Sequence, residues 1–478
     1  MRILFCIYQL DYADHIALAY LSAIAKQKGH ATFLCCMQDR ELSAAIAEYQ
    51  PDIVAYSANV YGFEQMVAAH KKAKANHRFI SIMGGPHPTY VPETFAQAEV
   101  DAYCVGEGEL AFGDFLDCIE KGQPFDGVPN LITAKGANPV RPLIRDLDTL
   151  PFPDRDLTLA NSFLKNTPKK TFYATRGCPY RCKYCCNNAY HALYRGKGPA
   201  VRRFSVERII REIEYVKSRY RTEFIKFGDD IFAIKADEWL KEFSDQYVRR
   251  IGIPFNCYLR IDRVKPEVLQ LLKSAGCYSV HLSIDSTSSL VREKILGRQM
   301  KEIDLIAPLK LIRSYGINTW VNFMLAAPES TLQDDLNTIR VAREGRVTYA
   351  AYSTTVPMKG TELYDYSVAH RLIDPVTHKG DMTGCTQPTA LQGFTEREKN
   401  IRYNVYLLGA IIAKLPPIFH EIAMGLIRII PPNRLFKKMR DAFYKYSIEN
   451  TIFRLHRPVE CKASSPLATS TYCENKAS

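Results

Sequence analysis

Short, apolar, β-rich segments alternate with amphipathic helical segments along most of this chain, and this alternation limits the folds it can adopt. Over residues 1–135 the strand candidates are ILFCIY, TFLCCM, DIVAYS, FISIMG and AYCVG. Helical patterns lie between them, for example over residues 15–28 and 64–76. Apolar strands separated by helices are typical of a parallel sheet with helices on both faces. We therefore expect an α/β chain that begins with a doubly wound, Rossmann-like domain over residues 1–135.

The alternation pauses and then restarts with longer units. Residues 136–169 lose periodicity and gather prolines, which predicts a linker or a strap. The strand candidates that follow, each separated from the next by a helical pattern, are FYATRG, FIKFGDD, FNCYLR, YSVHLSID, INTWVNFML and VTYAAYSTT. They predict a full or partial (β/α)6 barrel of the TIM type over residues 170–365, with its site at the carboxyl ends of the strands. Beyond it we expect a helical C-terminal region over residues 366–460 and a disordered tail over residues 461–478.

Cysteine usage and charge limit the compartment and the class of partner. The chain begins MRILFCIYQLDYADH, which turns polar after one strand-length apolar run, so we expect no signal peptide and a cytoplasmic location. The 478 residues include 14 cysteines, and in a reducing compartment a tight group of cysteines indicates a metal site rather than disulfides. The formal net charge of +12 favours anionic partners such as nucleic acid, phosphate-bearing cofactors or membrane surfaces, without choosing among them.

Only one group of cysteines is tight. Cys178, Cys182 and Cys185 lie within the segment CPYRCKYC, directly after a strand candidate. Three thiolates in one loop leave one iron of a cubane cluster without a protein ligand, as a catalytic metal centre requires. The alternative is a zinc knuckle, but a closed zinc site needs four ligands and usually a second cysteine pair downstream. Cys186 is adjacent to Cys185 and is interpreted as a bystander.

The motif CPYRCKYC resembles the three-cysteine pattern of the radical S-adenosylmethionine (radical SAM) superfamily, with an aromatic residue before the last cysteine. The resemblance implies a [4Fe–4S] cluster whose open iron binds S-adenosylmethionine and cleaves it to a 5′-deoxyadenosyl radical. It also implies contacts with S-adenosylmethionine from further positions, namely Tyr184, Gly228, Asp229, Asp230, Asp285 and Arg298. For the Asp229–Asp230 pair a turn or helix cap is the alternative, and for Arg298 an exposed helix end.

Two glycine clusters follow strand candidates in the first domain, MGGPHPT at residues 83–89 and CVGEGE at residues 104–109. Glycine lets the backbone approach a ligand closely, and ligands of doubly wound sheets bind at the carboxyl ends of the strands. With the linker PFPDRDL and the cysteine motif, these clusters resemble the cobalamin-binding domain that precedes the barrel in one radical SAM subclass. The resemblance implies cobalamin contacts from the loop at residues 8–15 and from Ser57, Gly84, Gly85, His87, Gly106, Glu107 and Gly108. The motif Asp-x-His-x-x-Gly is missing, so we interpret His87 as a turn or nucleotide-tail residue rather than an axial cobalt ligand.

The sequence therefore predicts a cobalamin-dependent radical SAM enzyme that uses a [4Fe–4S] cluster, S-adenosylmethionine and cobalamin. The favoured reaction is methylation of an unactivated carbon through a 5′-deoxyadenosyl radical and methylcobalamin. A ring-forming or oxidative reaction on the same fold is the alternative within enzymes. A nucleic-acid-modifying protein is the alternative of another class, suggested by basic residues within 165–203, but no nucleic-acid-binding module is visible and we favour no nucleic-acid partner. The expected partners are a small-molecule, lipid or peptide substrate and an external electron donor of the flavodoxin or ferredoxin kind.

The C-terminal region has an unusual composition. Residues 403–430 are strongly apolar, and residues 431–460 are rich in lysine and arginine. Lys414, Pro416, Pro417 and Glu421 interrupt the apolar stretch, so we exclude a transmembrane segment. The favoured interpretation is a helical cap packed on the barrel. The alternative is an amphipathic element that contacts the inner face of a membrane.

Overall fold

Strand and helix formation follows the predicted alternation. The computed structural model describes residues 1–10, 14–160, 162–300, 303–378, 380 and 382–455, so the predicted tail at residues 461–478 lies outside the described residues. The described residues form two compact units, one of Met1–Thr167 with Ala189–Arg202 and the other of Pro168–Asn188 with residues 203–455.

The first unit is built on one sheet with the strand order β2-β1-β3-β4-β5-β6-β7. Its strands are β1 (Arg2–Ile7), β2 (Ala31–Cys36), β3 (Ile53–Ser57), β4 (Ile80–Gly84), β5 (Ala102–Cys104), β6 (Leu131–Thr133) and β7 (Gly136–Ala137). Its helices are α1 (Ile16–Gln27), α2 (Leu42–Tyr49), α3 (Phe63–Lys74), α4 (Pro86–Tyr90), α5 (Phe95–Ala98), α6 (Glu109–Glu120) and α7 (Arg155–Leu159). Strands β1 to β5 pair in parallel, and β6 and β7 extend the sheet antiparallel. Separate apolar clusters, one with Tyr56 and Met66 and one with Phe5 and Phe112, show that the sheet is covered on both faces, which confirms the doubly wound prediction.

The second unit contains a six-stranded parallel sheet in the order β15-β14-β13-β12-β11-β8. The strands after residue 167 are β8 (Lys169–Phe172), β9 (Thr175–Arg176), β10 (Arg202–Arg203), β11 (Phe224–Phe227), β12 (Phe255–Tyr258), β13 (Cys277–Asp285), β14 (Asn318–Leu325) and β15 (Tyr349–Thr354). The helices are α8 (Cys186–Leu193), α9 (Val206–Arg219), α10 (Glu238–Arg250), α11 (Pro266–Ser274), α12 (Ala307–Ser314), α13 (Leu332–Glu344), α14 (Glu362–Ala369), α15 (Glu396–Ile412), α16 (Pro417–Leu426) and α17 (Arg434–Tyr446). Within the described residues no pairing joins β8 to β15, so the sheet is a partial (β/α)6 barrel.

Helix ends match the sequence signals. The Ser205 side chain accepts a hydrogen bond from the Arg208 N–H at the start of α9, and Pro266 is the first residue of α11. By contrast, His87 was interpreted as a turn or nucleotide-tail residue, and residues 86–90 form the short helix α4. Pro86 explains this difference, because its fixed φ favours the first turn of a helix.

The C-terminal residues close the amino-terminal end of the barrel. Ile448, Ile452 and Phe453 pack with Phe224 and Trp320, which lie near the starts of β11 and β14. The Ser279 hydroxyl donates a 2.7 Å hydrogen bond to the carbonyl of Ile452. The predicted helical C-terminal region is thus confirmed, and its last described turn completes the barrel core. None of the described helices combines the length and apolar character that a bilayer-spanning segment needs.

Candidate functional site

The cysteine loop begins where β8 ends, and a buried carboxylate holds its first residues. Asp229 is 2% exposed, and its Oδ1 accepts hydrogen bonds from the N–H groups of Ala174 (2.8 Å) and Thr175 (2.5 Å) and from the Thr175 hydroxyl (2.8 Å). Oδ2 has no hydrogen-bond partner among the described residues. Burial raises the pKa of Asp229 to about 7. This side chain therefore positions the backbone that leads into the three cysteines.

The middle of the loop is fixed by backbone hydrogen bonds to Leu296, which precedes the turn at Gly297, and to Leu363 of α14. The Lys183 N–H donates to the Leu296 carbonyl (2.9 Å), and the Lys183 carbonyl accepts from the Leu363 N–H (2.9 Å). Gly297 has a φ of +64°, and a Cβ added there would lie 2.8 Å from the Cγ of Lys183. Only glycine fits this turn without displacing the loop.

The three thiols share their environment. Arg260 acts electrostatically on Cys178 and Cys182, and Asp230 acts on Cys178 and Cys185. Burial raises the pKa of Cys178 to about 11 and also raises that of Cys182. A hydrogen bond with Cys186, together with burial, raises the pKa of Cys185. Neutral thiols in such surroundings ionise when a metal compensates the charge.

No group of three or more His, Cys, Asp or Glu side chains converges closely enough to hold a single metal ion in the part of the chain that the structure describes. A cubane cluster takes each thiolate on a different iron, so its ligands surround the cluster and do not meet at one point. The three thiols lie in one loop at the carboxyl end of β8, with Cys182 buried and Cys178 and Cys185 half-buried. This arrangement fits a cubane cluster.

Three of the predicted S-adenosylmethionine residues form one hydrogen-bonded cluster. The Tyr184 hydroxyl donates to Oδ2 of Asp285 (2.6 Å) and accepts from Nη1 of Arg298 (2.9 Å). Arg298 also forms an ion pair with Asp285, and both side chains are buried. Although burial alone would lower the pKa of Arg298, the adjacent Asp285 carboxylate raises it above its usual range. The arginine was expected to meet the cofactor carboxylate, and in this structure its charge is balanced by Asp285.

The remaining predicted residues of this group follow β11. A Cβ added at Gly228 would lie 2.7 Å from the Tyr173 ring, so glycine is required by close packing. Asp229 turns towards the loop backbone, whereas Asp230 is exposed and influences Cys178 and Cys185. Of the two carboxylates, Asp230 is the one placed to contact a ligand beside the thiols.

The sequence analysis missed two residues of this site, Arg260 and Tyr180. The Arg260 guanidinium lies 3.7 Å from the centroid of the Tyr180 ring and donates to the Arg298 carbonyl. It thereby links the cysteine loop, the end of β12 and the turn that carries Arg298. Tyr180 also accepts a 2.9 Å hydrogen bond from Nε of Arg263. The arginine that ends FNCYLR, at the carboxyl end of a barrel strand, was the available signal.

The predicted cobalamin residues lie at the carboxyl ends of β3, β4 and β5 in the first unit. Gly85 has a φ of +101°, and a Cβ there would lie 2.7 Å from the Ala58 carbonyl oxygen. The Thr89 hydroxyl donates to the Gly85 carbonyl (2.8 Å) and accepts from the Gly106 N–H (3.1 Å), which ties the two glycine clusters together. Gly84, the last residue of β4, lies beside Ser57 in the strand register.

Two histidines lie near this edge. His87 is 6% exposed, stacks on Phe63 with ring centroids 3.7 Å apart, and its Nε2 lies 3.1 Å from the Thr94 hydroxyl. His15 Nε2 lies 3.3 Å from the Ser57 hydroxyl, and burial lowers the pKa of His15 to about 4. Its Nδ1 is buried without a hydrogen-bond partner among the described residues, which do not include residues 11–13.

The second glycine cluster is held by residues that follow α8. Glu107 forms a two-pronged ion pair with Arg202, at 2.7 Å and 3.0 Å, and its N–H donates to the Tyr194 hydroxyl (2.7 Å). Gly106 has a φ of +81°, and an added Cβ would collide with that hydroxyl. Gly108 directly precedes α6. Glu107 therefore stabilises the loop, while the glycine backbone shapes the sheet edge; this edge and the orphaned His15 nitrogen fit a large ligand.

Comparisons with known proteins agree with both predicted domains. Residues 172–342 match the radical SAM superfamily, and residues 11–116 match the B12 binding domain. An uncharacterized methyltransferase of Pyrococcus horikoshii is 26% identical over 370 residues, which cover 75% of this chain and 79% of that protein. The anaerobic magnesium-protoporphyrin IX monomethyl ester cyclase of Rubrivivax gelatinosus is 22% identical over 373 residues, 73% of this chain and 65% of the cyclase.

A solved structure shows the same fold. TsrM from Kitasatospora setae, a radical S-adenosylmethionine methyltransferase with cobalamin and a [4Fe-4S] cluster bound, superposes with a TM-score of 0.65 at 15% identity. The superposition covers 90% of this chain and 91% of the TsrM chain. The predicted order of a doubly wound domain, a radical SAM barrel and a helical C-terminal region is confirmed.

Proposed function

This chain is a radical SAM enzyme whose B12-binding domain precedes the barrel in the sequence. We propose that it is a cobalamin-dependent methyltransferase that acts on an unactivated carbon. The observation that carries the proposal is that one chain contains both the three-thiol loop and the glycine-lined sheet edge. When bound, the cluster with S-adenosylmethionine supplies a 5′-deoxyadenosyl radical, and cobalamin supplies the methyl group.

In this proposal Cys178, Cys182 and Cys185 hold the [4Fe–4S] cluster. Asp230, which acts on two of these thiols, accepts hydrogen bonds from the amino group of S-adenosylmethionine. The buried Tyr184–Asp285–Arg298 cluster borders Cys182, whose pKa responds to both charged members. It fixes the loop and presents a preformed polar surface to the rest of the cofactor.

The carboxyl edge of β3, β4 and β5 holds cobalamin in this proposal. Gly84, Gly85, Gly106 and Gly108 let the backbone approach the cofactor, and Ser57 and His15 provide polar contacts. His87 is stacked on Phe63 and lies against Thr94, which supports its interpretation as a residue of the turn rather than an axial ligand.

The products formed from labelled S-adenosylmethionine test the reaction. The reconstituted protein, supplied with a low-potential reductant as the external electron donor and with candidate substrates, is analysed by mass spectrometry under strictly anaerobic conditions. A methyltransferase forms 5′-deoxyadenosine and S-adenosylhomocysteine and adds the labelled methyl group to its product. The Cys182→Ala variant is the negative control, and Cys186→Ala is the matched positive control.

A ring-forming or oxidative reaction is the second candidate, favoured by the similarity to the magnesium-protoporphyrin cyclase of Rubrivivax gelatinosus. That class of reaction forms 5′-deoxyadenosine without S-adenosylhomocysteine and leaves the label out of the product. This result would replace methyl transfer, and absence of 5′-deoxyadenosine would reject both candidates.

We also propose that the C-terminal helices contact an anionic membrane surface. Side chains of α16 and the turn after it form an exposed apolar stripe: Ile418 (74% exposed), Ile422 (53%), Leu426 (45%) and Ile429 (79%). Exposed cationic residues lie around the stripe and on α17, namely Arg428, Arg434, Lys437, Lys438 and Lys445. An apolar stripe bordered by cations matches a bilayer of anionic lipid, with each cation near the surface contributing about 1 kcal/mol.

Flotation with vesicles tests this contact. We expect the full chain to float with phosphatidylglycerol vesicles at low salt, to be released at high salt, and to ignore phosphatidylcholine vesicles. Ile418→Ser combined with Ile422→Ser, and Arg434→Glu combined with Lys438→Glu, abolish flotation. Lys121→Glu combined with Lys265→Glu, at exposed sites on other elements, serves as the control. Absence of flotation at low salt rejects the proposal. Self-association of the protein in the absence of lipid, abolished by the substitutions at Ile418 and Ile422, also rejects it.

A further inference from the structure

Aromatic side chains from neighbouring barrel strands form a stack below the Tyr184–Asp285–Arg298 cluster. Tyr258 of β12, His281 of β13 and Trp320 of β14 lie opposite one another in the strand register. Their ring centroids are 4.3 Å (Tyr258–His281) and 4.2 Å (His281–Trp320) apart. Parallel strands lie about 4.8 Å apart, so side chains at matched positions on one face must stack. His281 precedes Ser283 by two residues, which places the stack one layer deeper in the barrel.

A cation borders this stack. The ammonium group of Lys226 lies 5.3 Å from the Tyr258 ring centroid and 5.7 Å from that of Trp320. Its chain neighbours Ile225 and Phe227 are fully buried, and Phe227 packs with Phe243 of α10, so Lys226 points to the opposite, interior side of the sheet. A second lysine, Lys169, lies close enough to feel this charge. Burial and the charge of Lys226 lower the pKa of Lys169 to about 7. Two lysine side chains therefore lie in this part of the barrel.

Two members of the stack have polar atoms that the protein does not use. His281 is 4% exposed and Trp320 is 7% exposed. Among the described residues, the two ring nitrogens of His281 and the indole nitrogen of Trp320 make no hydrogen bond of normal geometry. The side-chain amide of Asn322 lies near His281. A buried donor without an acceptor is unfavourable, because it has lost its hydrogen bond to water and gained none in the protein. A neutral histidine and a tryptophan each supply one N–H donor, so the layer contains two buried donors that an acceptor on a ligand would satisfy.

Some side chains of this layer, and of the next layer towards the carboxyl ends of the strands, are partly exposed. Lys226 and Tyr258 keep part of their surface exposed, although they lie in the central sheet. So do Ser283, Asn322 and Met324, which follow on the same face of β13 and β14. Solvent therefore reaches part of this layer, and a substrate bound here would enter from the carboxyl ends of the strands.

We propose that the barrel interior binds the substrate by a carboxylate group, held by the ammonium of Lys226 and by the N–H donors of His281 and Trp320. The carboxylate oxygens accept hydrogen bonds from these two donors, and the negative charge is opposite to that of the Lys226 ammonium. The rest of the substrate then extends towards Ser283 and Asp285, where the radical chemistry takes place. This inference rests on the proposed function, since it assigns a substrate class to the same barrel.

Trp320 itself provides the measurement. The chain has two tryptophans, and Trp239→Phe leaves Trp320 as the single tryptophan, whose emission is excited selectively over that of the tyrosines. The full-length Trp239→Phe protein is titrated with benzoate and with benzamide, which has the same shape but no charge. We expect a saturable change of Trp320 emission with benzoate and at least about tenfold weaker binding of benzamide, since a hydrogen bond to a charged group contributes about 1.5–3 kcal/mol.

Substitution of the cation separates binding from packing. Lys226→Met in the Trp239→Phe background weakens benzoate binding about tenfold or more, and Lys226→Arg restores part of it. Lys265→Met, at an exposed site, leaves binding unchanged. Circular dichroism confirms that each variant is folded, and Lys226→Gln replaces Lys226→Met if the latter is not.

Three results would overturn the inference: no saturable response, equal affinity for benzamide, or unchanged benzoate affinity in the folded Lys226 variants. If the stack merely fills the barrel, Lys226→Met changes thermal stability alone. Loss of benzoate binding leaves the reductive cleavage of S-adenosylmethionine to 5′-deoxyadenosine intact, because Lys226 is not one of the cofactor residues. Failure of this inference is therefore distinguishable from failure of the proposed function, in which no 5′-deoxyadenosine forms.

Discussion

Among single residues, the four cysteines of CPYRCKYCC differ in burial in a way that matches the proposed division into three ligands and a bystander. Cys182 is buried and Cys178 and Cys185 are half-buried, whereas Cys186 is exposed at the start of α8. The loop that carries the first three is fixed by hydrogen bonds of Thr175 with Asp229 and of Lys183 with Leu296 and Leu363. A cluster bound there meets a preorganised set of thiols.

We expect Cys178→Ala, Cys182→Ala and Cys185→Ala each to lose the cluster, because three thiolates are the minimum that leaves only one iron open. Iron and sulfide quantification after anaerobic reconstitution, together with 5′-deoxyadenosine formation, measures this. Cys186→Ala retains both. A full iron content in Cys182→Ala would refute the ligand assignment.

Asp229 makes stability depend on pH. Its pKa is about 7 in the folded chain and about 3.9 in an unfolded one, so the folded state favours the protonated form. Its contribution therefore favours folding most below pH 4, declines as the pH rises from about 4 to 7, and is constant above. The expected loss is on the order of 1–4 kcal/mol, since the hydrogen bonds to Thr175 and Ala174 offset part of the burial cost.

Urea unfolding of the apoprotein at pH 5 and pH 8, followed by tryptophan emission, measures this dependence. Asp229→Asn keeps an acceptor for the loop but cannot ionise, so it flattens the decline between the two pH values. Asp229→Ala removes the acceptor and lowers iron incorporation as well. An Asp229→Asn profile that parallels the wild type would show that another group is responsible.

At the level of elements, the sequence predicted what depends on neighbours along the chain and missed what depends on distant ones. Hydrophobic periodicity located the barrel strands, and local capping signals located the starts of α9 and α11. The pairing of Glu107 with Arg202 joins residues 95 positions apart and has no local signal. The same holds for the stack of Tyr258, His281 and Trp320, which exists only once β12, β13 and β14 are in register.

The turn between β4 and α4 allows a direct test of a glycine role. An alanine at Gly85 must adopt a φ of +101° and bring its Cβ to 2.7 Å from the Ala58 carbonyl, so we expect Gly85→Ala to destabilise the first unit by about 1–3 kcal/mol. Cobalamin binding to the full chain, followed by its visible absorption, should weaken in parallel. Gly127→Ala, where an added Cβ meets nothing within 4 Å, is the matched control. Equal cobalamin affinity in the two variants would argue that this turn does not border the cofactor.

For the whole molecule, the C-terminal region has two roles on different residues. Its last described turn, with Ile448, Ile452 and Phe453, is buried in the barrel core. The earlier helix α16 and the turn after it expose the apolar stripe of Ile418, Ile422, Leu426 and Ile429. The cap and the amphipathic surface element predicted as alternatives are therefore assigned to separate segments, the first as observed packing and the second as a proposal.

The buried segment should determine the stability of the barrel. Ile452 is fully buried and Phe453 is 4% exposed, and both pack against Phe224 or Trp320. We expect Ile452→Ala to cost about 2–5 kcal/mol and Phe453→Ala about 3–5 kcal/mol, a large share of the 5–15 kcal/mol typical of a domain. Both tryptophans, Trp239 and Trp320, belong to the second unit, so the tryptophan emission during urea unfolding reports the barrel without contribution from the B12-binding domain. Ile429→Ala, at a side chain that is 79% exposed, should leave the barrel transition within about 0.5 kcal/mol of the wild type. An unchanged midpoint in Ile452→Ala would mean that the barrel folds independently of its C-terminal turn.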